Sequence, residues 1–208
     1  MEDHTPHASR RRLLRGALLG ATAIGLAGAS APLATARPEP RAGRVDYPGA
    51  RWVPASTSNY TASSRPEAYP IDFVVIHVTQ ETFQDTLAIF QNPKKQVSAH
   101  YVVRSADGLV GQCVREKDIA WHAGNWNYNT RSVGIEHEGW VDKPEYFTDA
   151  LYRSSAALTA ALCARHGLPV DRQHIIGHHE VPGSTHTDPG PLWDWARYLK
   201  LVKAAGRR

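Results

Sequence analysis

Hydrophobic spacing along the chain switches between strand-like and helix-like periods. Residues 71–78 read Ile-Asp-Phe-Val-Val-Ile-His-Val, a nearly continuous β-branched run without full alternation. Such a strand is covered on both faces, so a central place in a sheet is predicted for it. His77 then sits near the C-terminal end of the strand, where open α/β sheets tend to build their sites. From Thr82 to Gln91, Phe83, Leu87 and Phe90 fall at i, i+4 and i+7, giving one apolar helical face that Pro93 ends. Strand-like runs at 97–104 and 109–114 flank Ser105-Ala106-Asp107-Gly108, which predicts a hairpin. Residues 132–138 form another strand, with Glu136 and Glu138 on one face and His137 on the other.

Thr148 is placed to cap a helix running to about Arg165, with Leu151, Leu158 and Leu162 aligned, before Gly167 and Pro169 stop it. A short strand at 173–176 follows, and Leu192, Trp195, Leu199 and Val202 mark the apolar stripe of a C-terminal helix. The order is strand, helix, hairpin, strand, helix, strand, helix. That order predicts an α/β fold with a mixed central β-sheet and helices packed against it.

The first residues follow a different logic. Arg10, Arg11, Arg12 and Arg15 precede an Ala/Gly/Leu run to Leu26 and a small-residue stretch ending Ala34-Thr35-Ala36. This is the pattern of a secretory signal peptide, and the paired arginines fit the twin-arginine route. Its apolar run is short of the roughly 20 residues that span a bilayer. Residues 1–36 are therefore expected to be removed after Ala36, leaving a secreted, extracellular or cell-wall-associated protein without a transmembrane segment. Losing four arginines and two carboxylates takes the formal net charge from +4 to +2. No dense basic stripe is left, so no nucleic-acid partner is expected.

Residues 37–68, rich in Pro, Ser, Thr, Arg and Ala, read as an N-terminal extension or surface-wrapping segment, on which Arg51-Trp52-Val53-Pro54 can dock. Residues 69–205 form one catalytic domain, since about 172 residues support a single core. A monomer is expected. Cys113 and Cys163 are the two cysteines, and a bridge or two buried thiols both remain open.

Chemistry enters with the segment 175–190, Ile-Ile-Gly-His-His-Glu-Val-Pro-Gly-Ser-Thr-His-Thr-Asp-Pro-Gly. It sets His178 and Asp188 ten residues apart across a Pro/Gly-rich loop. Together with His77 they read as a three-ligand catalytic Zn2+ site, because such sites take three N/O ligands and leave one position to water. Each residue has a plainer role too: a hydrogen-bonded core histidine for His77, a turn or cap for Asp188. Their combination favours the metal. The helical His-Glu-x-x-His arrangement of zincin proteases is absent, so that class is disfavoured. Trp121, His122, Trp126 and Asn127 cluster ahead of Glu136 and are candidates for a substrate groove, with packing as the alternative for the aromatics.

The strings VVIHVT at 74–79, VSAHY at 97–101, WHAG at 121–124, SVGIEHEG at 132–139 and GHHEVPGSTHTDPG at 177–190 together resemble the zinc-dependent N-acetylmuramoyl-L-alanine amidase type 2 family, related to peptidoglycan-recognition proteins. The resemblance runs from about Tyr69 to Trp195. It implies His77, His178 and Asp188 as ligands, Glu136 of Gly-Ile-Glu as general base, and a histidine at 100 that is no ligand. It also places His122 beside the cleft and selects His178 over His179. Glu138 falls to a salt bridge or supporting hydrogen bond. His186 occupies the place where many relatives carry Lys, which makes it the candidate oxyanion donor, weaker or more pH-dependent than a lysine. The implied substrate is peptidoglycan or a muropeptide, cut between N-acetylmuramic acid and L-alanine. The alternatives are a non-catalytic peptidoglycan-binding module and a zinc amidase acting on soluble muropeptides or another amide.

Overall fold

A computed structural model describes residues 45–207. In chain order the strands are β1 (Ala50–Trp52), β2 (Tyr60–Thr61), β3 (Phe73–Val78), β4 (Tyr101–Val103), β5 (Val110–Gln112), β6 (Ile119–Ala120), β7 (Ser132–His137) and β8 (Ile175–Gly177). The α-helices are α1 (Phe83–Gln91), α2 (Trp126–Arg131), α3 (Asp149–His166) and α4 (Trp195–Ala205). Six strands make a mixed sheet in the order β1-β5-β4-β7-β3-β8, while β2 and β6 pair apart from it. The β-branched run at β3 does occupy the interior, parallel to both β7 and β8.

Strand alternation divides the sheet into two working faces. Val74 and Ile76 of β3 and Val133 and Ile135 of β7 turn toward one core, shared with Leu151, Leu158 and Leu162 of α3 and Tyr198 and Val202 of α4. All these side chains are fully buried. Truncating one, as in Leu158→Ala, costs about 2–5 kcal/mol through lost transfer energy and the cavity left behind. The opposite face carries Val75, and beyond it His77 and Glu136. On α1, Phe83, Leu87 and Phe90 bury against Val102 and Cys113 in a second core.

Helix ends follow the local chemistry. The Thr148 hydroxyl accepts from the Leu151 N–H and starts α3, and Gly167, at φ 69°, ends it in the left-handed conformation that favours glycine. Asn125 caps α2 through the Tyr128 N–H, an element that the aromatic-rich stretch hid from sequence reading. On α4 the buried residues are Tyr198 and Val202, with Trp195 and Leu199 half-buried. Leu192, expected on that stripe, precedes the helix and is 41% exposed.

The expected leader at residues 1–36 lies outside the described residues, as does the start of the 37–68 extension. The described part of that extension is woven into the domain. Its β1 adds an edge strand parallel to β5, β2 pairs with β6, and Arg65 is buried. Cys113 and Cys163 are both free, buried thiols, and burial pushes both up, Cys163 to about 11. Among the described residues no helix is long and apolar enough to cross a membrane.

Candidate metal centre

Parallel pairing assembles the site. In the β3–β7 register His77 lies opposite Glu136, so two side chains distant in sequence leave adjacent strands on the same face. The chain leaves β8 at Gly177 and presents His178 as the first residue of a short 3-10 turn. The following loop brings Asp188 back: its carbonyl accepts from the His179 N–H at 3.1 Å, and its side chain enters the same pocket. Asp188 Oδ2 lies 3.3 Å from His77 Nδ1 and Oδ1 lies 3.1 Å from His178 Nδ1. One donor atom from each of the three falls within 4.8 Å of the others, and all three residues are buried. Among the described residues this is the single cluster able to hold a metal ion.

The electrostatics suit a cation. Burial pushes His77 and His122 down, which favours the neutral ring that a ligating histidine needs at His77. Burial pushes the Asp188 carboxyl up, but the close approach of the His178 and His77 imidazoles outweighs it and holds the group well below the usual carboxylate range. Burial, with the Asp188 charge in support, pushes Glu136 well above its ordinary range. Two buried polar atoms here have no hydrogen-bond partner among the described residues, His178 Nε2 and Glu136 Oε2. Buried polar atoms are rarely left so without a reason. Two imidazoles, a carboxylate and unsatisfied polar atoms fit a divalent cation.

A cleft of about 540 Å³ opens over this cluster, lined by the three ligand candidates with Glu136, His186, Trp121 and His122 among others. The sequence-derived groove is thus divided. Trp121 and His122 line the cleft, but His122 is only 6% exposed and its ring is engaged behind His77. Trp126 and Asn127 lie outside the lining. Trp126 is 54% exposed on α2, and the Asn127 amide oxygen accepts from Arg131 at 3.3 Å. Both sit in the first turn of α2.

His186 stacks on His178 at 4.1 Å between ring centroids, with its side chain largely in solvent. His179 faces away, its Nδ1 3.0 Å from the Asp188 carbonyl. His100 is fully buried, with Nδ1 accepting from the Gly134 N–H at 3.0 Å. Among the described residues Glu138 makes no salt bridge. Its carboxylate accepts from the Phe83 N–H at 2.9 Å, at the start of α1, and from the Ser105 N–H at 2.7 Å, tying helix to hairpin. Sequence reasoning did not foresee the part of Asn129, whose amide oxygen accepts from the N–H groups of His122 at 3.1 Å and Ala123 at 2.8 Å and so fixes the WHAG loop. It also missed Gln80 and Gln96, whose φ angles of 55° and 51° set two non-glycine residues in the left-handed region on the cleft wall.

Comparison with known proteins agrees with this geometry. The N-acetylmuramoyl-L-alanine amidase family matches residues 67–191. N-acetylmuramoyl-L-alanine amidase A of Achromobacter lyticus is 37% identical over 180 residues, covering 78% of this chain and 98% of that protein. The 1,6-anhydro-N-acetylmuramyl-L-alanine amidase AmpD of Escherichia coli K12 is 34% identical over 160 residues, 74% of each chain. The crystal structure of a selenomethionine derivative of AmpD superposes with a TM-score of 0.62 at 32% identity, covering 75% of this chain and 96% of that one. A family match over most of the domain, a shared fold and a His-His-Asp cluster at the strand ends lead to one conclusion: this chain is a metal-dependent hydrolase belonging to the N-acetylmuramoyl-L-alanine amidase family.

Proposed function

We propose that the chain hydrolyses the amide between the lactyl group of N-acetylmuramic acid and L-alanine in peptidoglycan, with Zn2+ held by His77, His178 and Asp188. The observation that carries the reading is the convergence of those three side chains with the partnerless Glu136 carboxylate in one cleft. Zinc held by these residues would supply Lewis-acid chemistry, polarising the scissile carbonyl and lowering the pKa of water to roughly 7. The remaining steps fall to the protein. Glu136 accepts the proton of the attacking water at its free carboxylate oxygen and delivers it to the departing L-alanine amine. Its upward displacement by burial suits that exchange, since it makes the carboxylate a better proton acceptor than an exposed glutamate.

His186, exposed on the rim and stacked on His178, donates an N–H to the oxyanion that develops on the carbonyl. Trp121, half-buried with its indole N–H on the Thr61 hydroxyl at 3.0 Å, gives the cleft a rigid apolar wall for the substrate. The protein acts as a monomer, secreted after removal of residues 1–36. The likeness to AmpD, whose name specifies 1,6-anhydro substrates, favours a second reading in which soluble muropeptides are preferred over the polymer. Digesting intact peptidoglycan and soluble muropeptides side by side, with mass analysis of the products and metal analysis of the protein, tests all of this. Free stem peptides beginning at L-alanine and one zinc per chain are expected. Products that retain the lactyl–alanine bond overturn the reaction, and a different bound metal overturns the zinc assignment.

A further inference from the structure

We propose that His122 is a positioning residue, which fixes the His77 imidazole so that Nδ1 is its free nitrogen on the Asp188 side, where a metal would be held, through a directed chain of hydrogen bonds that ends on the backbone of α2. The inference rests on the metal reading above and assigns the protein's own part in it.

The direction of the chain follows from its far end. The Ser132 hydroxyl lies 2.5 Å from the Tyr128 carbonyl oxygen, and a carbonyl only accepts, so the serine proton is committed there. Ser132 Oγ is also 3.1 Å from His122 Nε2 and must accept in that contact, so His122 carries its proton on Nε2. A neutral imidazole so protonated has a bare lone pair on Nδ1, which lies 2.9 Å from His77 Nε2. His77 therefore donates from Nε2. Its lone pair is on Nδ1, the nitrogen that faces Asp188 Oδ2 at 3.3 Å. One serine proton thus sets the tautomer of two rings and the coordinating atom of a ligand.

The His122 ring has a dedicated seat. Asn129 holds the backbone N–H groups of His122 and Ala123 from one side. From the other, a Cβ placed on Gly134 would come within 2.6–2.8 Å of three ring atoms, so the glycine of Gly-Ile-Glu is what lets the ring lie against β7. Partners that orient a ligating histidine typically contribute 10–100-fold to metal affinity.

Atom replacement separates this role from simple packing. Zinc is titrated into metal-free protein against a chelating dye, with the melting temperature of each metal-free variant recorded. In His122→Asn the amide oxygen takes the place of Nδ1 and still accepts from His77, so affinity within about fivefold of the parent is expected. His122→Phe fills the seat but offers no acceptor, and its affinity should fall roughly 10–100-fold. A packing role predicts the reverse order, since Phe fills the space and Asn leaves a void, and that order overturns the proposal. Ser132→Ala keeps both rings and frees the tautomer, so a roughly 3–10-fold loss is expected. Unchanged affinity in Ser132→Ala also overturns it. A parent protein that holds no metal removes the zinc reading itself, whereas a zinc-binding parent with the packing order removes this inference alone.

Discussion

Two clusters of buried ionisable groups occupy this domain, and they differ in one respect. Around Glu116 every charge is answered. Its carboxylate takes hydrogen bonds from Tyr101, Arg165 and His166, while the buried Arg65 donates to the carbonyls of Glu116, Thr130 and Ser132. Around His77 the accounts stay open, with Glu136 Oε2 and His178 Nε2 unpartnered. A third such atom, Trp193 Nε1, stands alone among aromatic rings of the core and belongs to no cluster. Burial and shifted titration mark both clusters equally. Incomplete hydrogen bonding separates the one that works on a ligand from the one that holds the fold.

Substitutions should break the two clusters in opposite ways. The largest effect is expected from Asp188→Ala, which removes the ligand carboxylate: bound metal should vanish and turnover fall by about 1,000-fold or more, while the metal-free fold survives. Glu136→Gln should keep metal and melting temperature yet lose roughly 100-fold or more in kcat, the scale of general acid–base work. Retained turnover in either variant would move the chemistry elsewhere.

Glu116→Gln inverts the pattern. Leaving Arg165 and His166 facing a neutral amide in a buried site should cost about 3 kcal/mol of stability, read from denaturant unfolding, with kcat per folded molecule unchanged. The same cluster sets an acid limit. Burial pushes Glu116 up, but hydrogen bonds from His166, Arg165 and Tyr101 bring it down from 4.5 to about 2. A carboxyl lowered by folding contributes stability that is complete above pH 4.5 and lost as pH falls toward 2. Unfolding measured across that window should be less steep in Glu116→Gln than in the parent. His186→Ala is the smaller catalytic change: kcat should fall about 10-fold or more with zinc content intact, and a kcat restored by excess zinc would make the residue a loop brace instead. Glu138→Gln should be the mildest, weakening two backbone contacts at α1 and the hairpin with only a slight loss of kcat.

What the sequence made legible tracks how local each signal is. The β-branched run of β3, the Thr148 cap and the leucine face of α3 are periodic or short-range signals, and all three appear in the structure. The family strings placed His77, His178, Asp188 and Glu136 in one expected site, and the structure brings all four to the same cleft. The misses are tertiary. Strand β1 is three residues long and visible only through its pairing with β5. Helix α2, which carries Trp126 and Asn127, starts at the Asn125 cap and shows no periodic signal over its six residues. His122 lines the cleft that its motif borders, while its ring nitrogens meet His77 and Ser132 across distances no local pattern encodes. Glu138 shares a strand face with Glu136 by period, yet β7 ends one residue earlier, and its carboxylate follows the backbone N–H groups of Phe83 and Ser105 instead.

The register of β3 on β7 has a consequence for when this molecule becomes active. His77 and Glu136 are paired across a parallel ladder, and His178 arrives only once β8 docks on the other side of β3. Parallel pairings close long loops and are costly to form early, so the residues of the site meet among the later contacts of folding. A slip of one position on β7 would send Glu136 to the face of α3 and α4 and bring His137 toward the cleft. Hydrolysis is therefore a readout of a finished sheet in the correct register. Return of activity during refolding should lag behind return of helix signal, since α1 and α3 can form before the strands that carry the chemistry are joined.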